Sequence, residues 1–282
     1  MSNAERHILG LSGGRDSAAL AVYMREHRPD LALEYFFTDT GKELPEVYAF
    51  LDRLEGFLGR TIARLNPDRD FDFWLREYNH FLPSVRTRWC TRQLKLRPLE
   101  QWLRDDLDRG TIVHSYVAIR SDEPSREGYQ ATHPNMKVHF PLKEAGIDRR
   151  GVVDILDGAG VGEPTYYQWR SRSGCTFCFF QQKIEWVRLM REHPDRYEEA
   201  KSYEKAALTH GSPFTWSQGE SLEELQTPER VAEIERHYAD RLSRLLSRRR
   251  ANPLATGLDD PISADDVFGI DEASAGCVVC HK

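Results

Sequence analysis

Residues 7–24 read HILGLSGGRDSAALAVYM, and this stretch decides the fold. Its first five residues form a short apolar run typical of a buried strand, and the residues from Ser17 onward are apolar enough for a buried helix. Between them lie Ser12, Gly13 and Gly14, a glycine-rich turn in which successive backbone N–H groups can approach an anion at a helix N-terminus. The stretch therefore predicts a strand, an anion-binding loop and a helix.

The same alternation of strand and helix continues through the first half of the chain. Further strands are predicted at 33–37, 61–65, 111–119 and 138–142, and further helices at 45–58, 71–78 and 94–107. Such alternation implies an α/β fold with a doubly wound, mostly parallel sheet. Beyond residue 148 the pattern is helical, at 152–156, 184–192, 197–208 and 228–249.

Three units follow from this pattern. We expect a nucleotide-binding α/β domain over residues 1–147, a C-terminal helical annex over 148–251 and a flexible cysteine-bearing tail over 252–282.

Composition and charge exclude several classes of protein. No stretch approaches the roughly 18 apolar residues of a membrane span, and the N-terminus does not resemble an export signal, so we expect a cytoplasmic protein without a membrane partner. The 39 basic and 45 acidic side chains give a net charge of -6, which is not typical of a nucleic-acid binder. However, segments 84–99 and 165–184 hold five and three basic side chains and no acidic one, which favours a local anion site.

The loop at residues 12–17, SGGRDS, resembles the PP-loop, SGGxDS, of the ATP pyrophosphatase superfamily. It lacks the Gly-Lys-Ser/Thr ending of the Walker loop. The resemblance implies an adenine nucleotide alpha hydrolase-like fold, ATP and Mg²⁺ as ligands, and a loop that grips pyrophosphate. The residues that match the family motif are Ser12, Gly13, Gly14, Asp16 and Ser17.

A second string is similar to the sulfonucleotide (PAPS/APS) reductase branch of that superfamily. Residues 38–46, TDTGKELPE, resemble its DTG-x-x-x-PE element, which lies beside the adenosine. The resemblance implies binding roles for Asp39, Thr40 and Gly41. A polar turn before a helix that starts at Pro45 accounts for the same string without a ligand.

Two more strings are similar to the same branch. Residues 88–98, RWCTRQLKLRP, resemble a WCT-x-x-LK-x-x-P segment in which Lys95 matches an anion-contacting lysine. Residues 118–123, AIRSDE, resemble the family's GIRADE element, with Ala118 in place of Gly. This second resemblance implies that Arg120 is a phosphate ligand, a role suited to its bidentate fork.

Five cysteines in a chain without an export signal favour metal or redox chemistry over disulfides. Cys90, Cys175 and Cys178 resemble the CC…CxxC ligands of the [4Fe–4S] cluster in adenylylsulfate reductases, with Trp89 in place of one cysteine. The expected fourth ligand is Cys277 of the tail, because an Fe–S cluster normally has four thiolates.

Two alternatives for the cysteines remain open. Zn²⁺ held by Cys175, Cys178, Cys277 and Cys280 would leave Cys90 as a free thiol. All five cysteines could also be plain thiols. If Cys277 is the cluster ligand, Cys280 is left for sulfur transfer, since a CxxC pair can lower a thiol pKa and resolve a persulfide.

Among the members of the superfamily, the strings WCTRQLK and SRSGCTFCFFQ are most similar to the ATP pyrophosphatase of DNA phosphorothioation systems. That resemblance implies adenylation of a DNA backbone phosphate, followed by sulfur insertion with a cysteine desulfurase as the sulfur donor. The candidate catalytic residues are Asp16 of the PP-loop, Lys95 and Arg120 of the strings similar to the reductase branch, and Cys280 of the tail. Because the chain is acidic, we expect partner subunits to present the DNA. A homodimer is also compatible with the sequence.

Three other functions stay open from the sequence. Two are enzymes of the same superfamily, a reductase of adenylylsulfate or phosphoadenylylsulfate and a tRNA thiolation enzyme. The third is a nucleotide-sensing assembly subunit without catalysis. The intact SGGRDS loop favours an enzyme over the assembly subunit.

Overall fold

The computed structural model describes residues 4–66, 68–124, 126, 133–212, 214–217, 219–251 and 262–268. Five parallel strands form one sheet in the order β3-β2-β1-β4-β5. They are β1 Glu5–Gly10, β2 Leu33–Phe37, β3 Ile62–Arg64, β4 Ile112–Tyr116 and β5 Met136–His139. The chain order reverses at β1, which lies between β2 and β4, and ligands of such sheets bind at this switch point, beyond the carboxyl ends of the strands.

Helices connect and cover the strands. In the α/β half they are α1 Arg15–His27, α2 Pro45–Leu58, α3 Phe71–Glu77, α4 Trp89–Thr91, α5 Arg97–Asp108 and α6 Pro141–Glu144. A π-helical segment, Arg92–Leu96, joins α4 to α5. The second half holds α7 Arg149–Gly158, a 3₁₀ turn Thr165–Gln168, α8 Lys183–Glu192, α9 Pro194–Thr209, α10 Leu222–Leu225, α11 Pro228–Ala251 and α12 Ala264–Phe268.

Apolar side chains cover the sheet on both faces. Successive residues of a strand point to opposite faces, and Ile8 packs with Leu99 and Leu103 of α5 on one side. Leu9 belongs to the larger core on the other side, with α1, α2 and α7. Helices on both faces of an all-parallel sheet confirm the predicted doubly wound α/β fold.

The larger core continues from the sheet into the second half of the chain. It includes the fully buried Trp186 of α8 and Tyr197 of α9 together with the residues of α1. The helical annex therefore packs directly on the sheet layer. The boundaries at residues 147 and 251 stay predictions.

Three predicted elements differ from the structure at their ends. The predicted bounds 138–142 of the last strand were wrong. The strand is Met136–His139, and Pro141 begins a helix. The predicted strand 111–119 ends at Tyr116, and the residues after it form the loop that carries Arg120. The predicted helix 94–107 starts five residues earlier, at Trp89, and passes through the π-helical segment.

None of the helices in the described part of the chain combines the length and the apolar composition that crossing a bilayer requires.

Candidate functional site

The PP-loop lies between β1 and α1, at the switch point of the sheet. Gly13 has φ +71°, and a Cβ there would lie 2.5 Å from Cγ1 of Val47 in α2. Gly14 is the N-cap of α1, and no side chain caps the helix there. The loop needs the positive φ and the missing side chain of Gly13. It places the N-terminus of a 13-residue helix, whose first amide, that of Arg15, donates to the Tyr167 hydroxyl at 3.4 Å, at the switch point of the sheet, and the N-terminal end of a helix favours an anion.

Two hydroxyls hold the loop in shape. The Ser17 hydroxyl accepts a hydrogen bond from the Ser12 amide at 3.1 Å and donates to the Gly14 carbonyl at 3.0 Å. The Ser12 hydroxyl accepts from the Gly14 amide at 3.3 Å. Ser12 and Ser17 are therefore structural in this loop, whatever contacts they make to a phosphate.

The helical annex braces the PP-loop. The buried Tyr166 hydroxyl donates to the Gly13 carbonyl at 2.8 Å, and the Ser173 and Ser12 hydroxyl oxygens are 3.2 Å apart. The guanidinium of Arg15 bonds to Glu163 at 2.7 Å and lies 4.5 Å from the ring centre of Tyr167. We did not predict these residues from the sequence. The acid-free segment 165–184, which contains three of them, was the available signal.

Asp16 and Arg120, both predicted site residues, form an ion pair at the loop. Arg120 Nη1 lies 3.0 Å from Asp16 Oδ2, and both side chains are nearly buried. Burial would lower the pKa of Arg120, but the carboxylates of Asp16, Asp122 and Glu123 raise it well above its ordinary value. Arg120 is thus a fixed cation beside the N-terminus of α1, where a phosphate ligand is expected.

The predicted adenosine-side residues form a tight turn after β2. The Asp39 carboxylate accepts hydrogen bonds from the Gly41 amide and the Tyr48 hydroxyl, each at 2.8 Å. Gly41 has φ +71°, and Thr40 donates to Glu43 at 2.8 Å. This turn is the polar turn that the sequence allowed without a ligand, and it lies at the carboxyl edge of the sheet, where a nucleotide would lie.

A cavity of about 50 Å³ lies beside the PP-loop and contains the three described cysteines. Its wall includes Cys90, Cys175 and Cys178 together with Lys95 and Thr40. This volume is above the roughly 10–15 Å³ that a cavity needs to hold one water, so a bound group has room between these side chains. The structure thus brings together two of the predicted anion-site strings and the CxxC motif.

The two acid-free segments meet at this cavity. The guanidinium of Arg88 lies 5.2 Å from the ring centre of Phe180, and that of Arg172 lies 5.8 Å from the same ring. Arg172 and Ser173 both line the cavity, and Ser173 also contacts the PP-loop. Ser173 therefore connects the cysteine cavity to the anion site.

Buried polar groups hold the CxxC loop. Arg170 is 2 % exposed and donates to the carbonyls of Gly174 and Cys175, at 3.2 and 2.8 Å. The buried carboxylate of Glu185 accepts from the Ser171 amide at 2.5 Å. Buried side chains of the helical annex therefore hold the backbone of the CxxC loop in place.

The cysteine thiols differ in acidity. The hydrogen bond between Cys175 and Cys178 raises the pKa of Cys175 and lowers that of Cys178. Lys95 also lowers the pKa of Cys178. Burial raises the pKa of Glu43, a buried carboxyl near Lys95. We did not predict a role for Glu43 from the sequence, although it lies within the string 38–46.

The structure describes three of the five predicted cysteine ligands, Cys90, Cys175 and Cys178. Within the described residues, no group of three or more His, Cys, Asp and Glu side chains has the arrangement of a metal site. The three cysteines nevertheless share one cavity, and Cys90 is close enough to raise the pKa of Cys175. Cys277 and Cys280 lie outside the described residues.

Comparison with known proteins supports the resemblance of the α/β half. Residues 6–138 match the model of the phosphoadenosine phosphosulfate reductase domain family. This span contains the PP-loop, the turn at Asp39, Lys95 and Arg120. The match agrees with the resemblance of these strings to the PAPS reductase-like branch of the PP-loop superfamily.

Two uncharacterized proteins of Methanocaldococcus jannaschii are similar in sequence. One is 25% identical over 197 residues, which covers 68% of this chain and 40% of that protein. The other is 23% identical over 195 residues, covering 66% and 44%. The chain spans less than half the length of these curated relatives.

Among solved structures, phosphoadenylyl-sulfate (PAPS) reductase from Candida auris, in a phosphate complex, is similar to this chain with a TM-score of 0.48 and 12% identity. The similarity covers 62% of this chain and 82% of that one.

Proposed function

We propose that this protein is an ATP pyrophosphatase that adenylates a phosphate of the DNA backbone for sulfur insertion. One observation carries the proposal. An uncapped helix N-terminus in a glycine loop adjoins, through Ser173, a cavity that contains three cysteines and Lys95. This proximity supports a function that combines phosphate activation with sulfur chemistry in one chain.

The first step is a displacement at phosphorus. An oxygen of the DNA phosphate attacks the α-phosphorus of ATP, the bond from that phosphorus to the bridging oxygen breaks, and pyrophosphate leaves with the electron pair. Catalysis of this kind rests on positioning and on electrostatic stabilisation. Backbone N–H groups of the PP-loop hold the leaving pyrophosphate, and Arg120 and Lys95 supply positive charge.

The second step replaces AMP by sulfur. A cysteine desulfurase supplies a persulfide to Cys280, whose terminal sulfur attacks the activated DNA phosphorus and displaces AMP. A thiol reductant then cleaves the remaining S–S bond with two electrons, which leaves one sulfur on the DNA and restores the Cys280 thiol. Partner subunits present the DNA in this proposal, because the chain as a whole is acidic.

The assay of the first step is the product pattern from ATP. With Mg²⁺ and duplex DNA, the wild-type protein should form AMP and pyrophosphate, with AMP transiently bound to DNA. Asp16→Ala should abolish this reaction, whereas Asp105→Ala, an exposed carboxylate of α5, should not. Formation of ADP and orthophosphate instead would contradict the PP-loop chemistry.

A sulfonucleotide reductase is the second candidate, favoured by the family match over residues 6–138. Release of sulfite from adenylylsulfate or phosphoadenylylsulfate, without AMP formation from ATP, would establish this candidate in place of the pyrophosphatase.

We also propose that Cys90, Cys175 and Cys178 bind a [4Fe–4S] cluster with Cys277 as the fourth ligand. The presence of Cys90 in the same cavity as the CxxC pair supports this set over Zn²⁺ bound without Cys90. Anaerobically purified protein should be brown, and Cys90→Ser should remove the colour while Cys280→Ser keeps it. A colourless protein with one Zn²⁺ per chain that is unaffected by Cys90→Ser would support the zinc alternative.

A further inference from the structure

The second half of α11 carries a stripe of exposed arginines. Arg241, Arg244 and Arg248 follow one another at spacings of three and four residues, which places them on one face of the helix. All three are exposed. We refer to these three residues as the basic stripe.

The charge around the basic stripe is strongly asymmetric. Residues 236–250 contain six arginines and one acidic residue, Asp240, so this segment carries a net +5 in a chain whose net charge is -6. The first half of α11 differs, because Arg230 there bonds to Glu220 at 2.7 Å and to Glu233 at 2.6 Å. In the described part of the chain, no carboxylate lies within ion-pair distance of the basic stripe, although Asp240 is four residues before Arg244.

Ordinary helix energetics explain only part of this pattern. Arg248, Arg249 and Arg250 occupy the last turn, where positive charge interacts favourably with the helix dipole. That effect falls off within one turn, so it does not account for Arg241 and Arg244. The guanidinium of Arg241 lies 5.2 Å from the ring centre of Phe268 in α12, a contact that leaves this exposed side chain able to reach a ligand, and Arg244 has no such ring contact in the described part of the chain. Like charges three and four residues apart destabilise a helix, and the basic stripe therefore has a cost that an external anion would offset.

We propose that the basic stripe binds the phosphate backbone of duplex DNA. Arg241 and Arg248 are about 10 Å apart along the helix axis, and one DNA strand carries a phosphate about every 3.4 Å along its axis, so the stripe spans roughly three phosphates. Guanidinium groups suit phosphates because they bond in a bidentate manner. The choice of DNA as the polyanion rests on the proposed function.

The position of α11 agrees with such a role. α11 packs on α8, where the guanidinium of Arg188 lies 4.7 Å from the ring centre of Tyr238. α8 begins five residues after Cys178, the second cysteine of the CxxC motif. The basic stripe thus belongs to the same helical annex as the cysteine cavity. Contacts to phosphates alone read no base sequence, so partner subunits would still select the target.

The test measures the salt dependence of binding to a fluorescein-labelled 20-base-pair DNA by the full chain without ATP. The triple variant Arg241→Gln, Arg244→Gln, Arg248→Gln should bind at least tenfold more weakly at 50 mM KCl. The slope of log K against log salt should become shallower by about 0.9 for each phosphate that the variant no longer neutralises. The control variant Arg76→Gln, Arg104→Gln, Arg150→Gln changes the charge equally at three exposed arginines elsewhere and should bind like wild type.

Several outcomes would overturn the proposal. These are no DNA binding by the wild type at 50 mM KCl, equal losses in the two triple variants, and stripe-dependent binding to phosphatidylserine vesicles or duplex RNA but not to DNA. Thermal unfolding of both variants at the wild-type temperature is the control for folding. Stripe-dependent DNA binding by a protein that forms no AMP would reject the proposed function alone, and AMP formation without stripe-dependent binding would reject this proposal alone.

Discussion

Gly13→Ala should destabilise the protein more than any ordinary glycine substitution in a turn. At φ +71° an alanine would adopt a left-handed conformation, which costs about 1–2 kcal/mol. Its Cβ would also lie 2.5 Å from Cγ1 of the buried Val47, well inside the 3.5–4.0 Å at which carbon atoms pack, and overpacking of a core costs about 1–3 kcal/mol. Together these effects predict a loss of about 2–5 kcal/mol in the free energy of unfolding.

The two effects can be separated by urea unfolding. Gly41 has the same φ of +71° but nothing within 4 Å of an added Cβ, so Gly41→Ala should show only the conformational cost. Val47→Ala should relieve the clash, so that the double variant with Gly13→Ala is more stable than the sum of the single losses predicts by about 1–3 kcal/mol. Equal losses for Gly13→Ala and Gly41→Ala, or strict additivity with Val47→Ala, would refute the packing argument.

Three further predictions concern the site and its supports. Lys95→Ala and Arg120→Ala should each lower kcat/KM for ATP by about 10- to 150-fold, since a charge-assisted hydrogen bond contributes about 1.5–3 kcal/mol; unchanged kinetics would make that residue a structural charge. Tyr166→Phe removes the bond to a PP-loop carbonyl and should cost about 1 kcal/mol in urea unfolding and weaken pyrophosphate formation, and an effect on neither would reject the brace. Burial raises the pKa of Glu199, but the hydrogen bond and the charge of Lys42 lower it, and the net result is a pKa below its ordinary 4.5. That stabilisation is present above the unfolded pKa and is lost as pH falls through the folded one, so Glu199→Gln should flatten the acid limb of a stability-against-pH curve below pH 4.5.

The fold was predictable because its signals are local. A buried strand, a glycine turn and an apolar helix follow one another in residues 7–24, and each rule needs only a few neighbouring residues. The same local rules misplaced the end of β5. The apolar residues up to Leu142 resemble a strand, but Pro141 occupies the first turn of a helix, where proline is common.

The supports of the site were not predictable, because they join residues far apart in sequence. Tyr166 reaches the PP-loop from 153 residues away, and Ser173 reaches Ser12 from 161. Glu43 belongs to the DTG turn, but its burial beside Lys95 depends on how two separate loops pack. The motifs indicated Asp16, Lys95 and Arg120, and only the structure adds residues such as Tyr166 and Ser173 that support the PP-loop.

The charges around the PP-loop give a reason for a metal ion in the reaction. Arg15 is balanced by Glu163 and Arg120 by Asp16, with Asp122 also bonded to Arg120 at 2.8 Å. These five side chains, two basic and three acidic, sum to a charge of -1, and Lys95 brings the sum only to zero, whereas ATP adds several negative charges. The partial positive charge of a helix N-terminus, about half a unit, is too small to offset the charge of ATP. ATP should therefore bind as its Mg²⁺ complex, and chelation of Mg²⁺ by EDTA should weaken ATP binding itself as well as turnover.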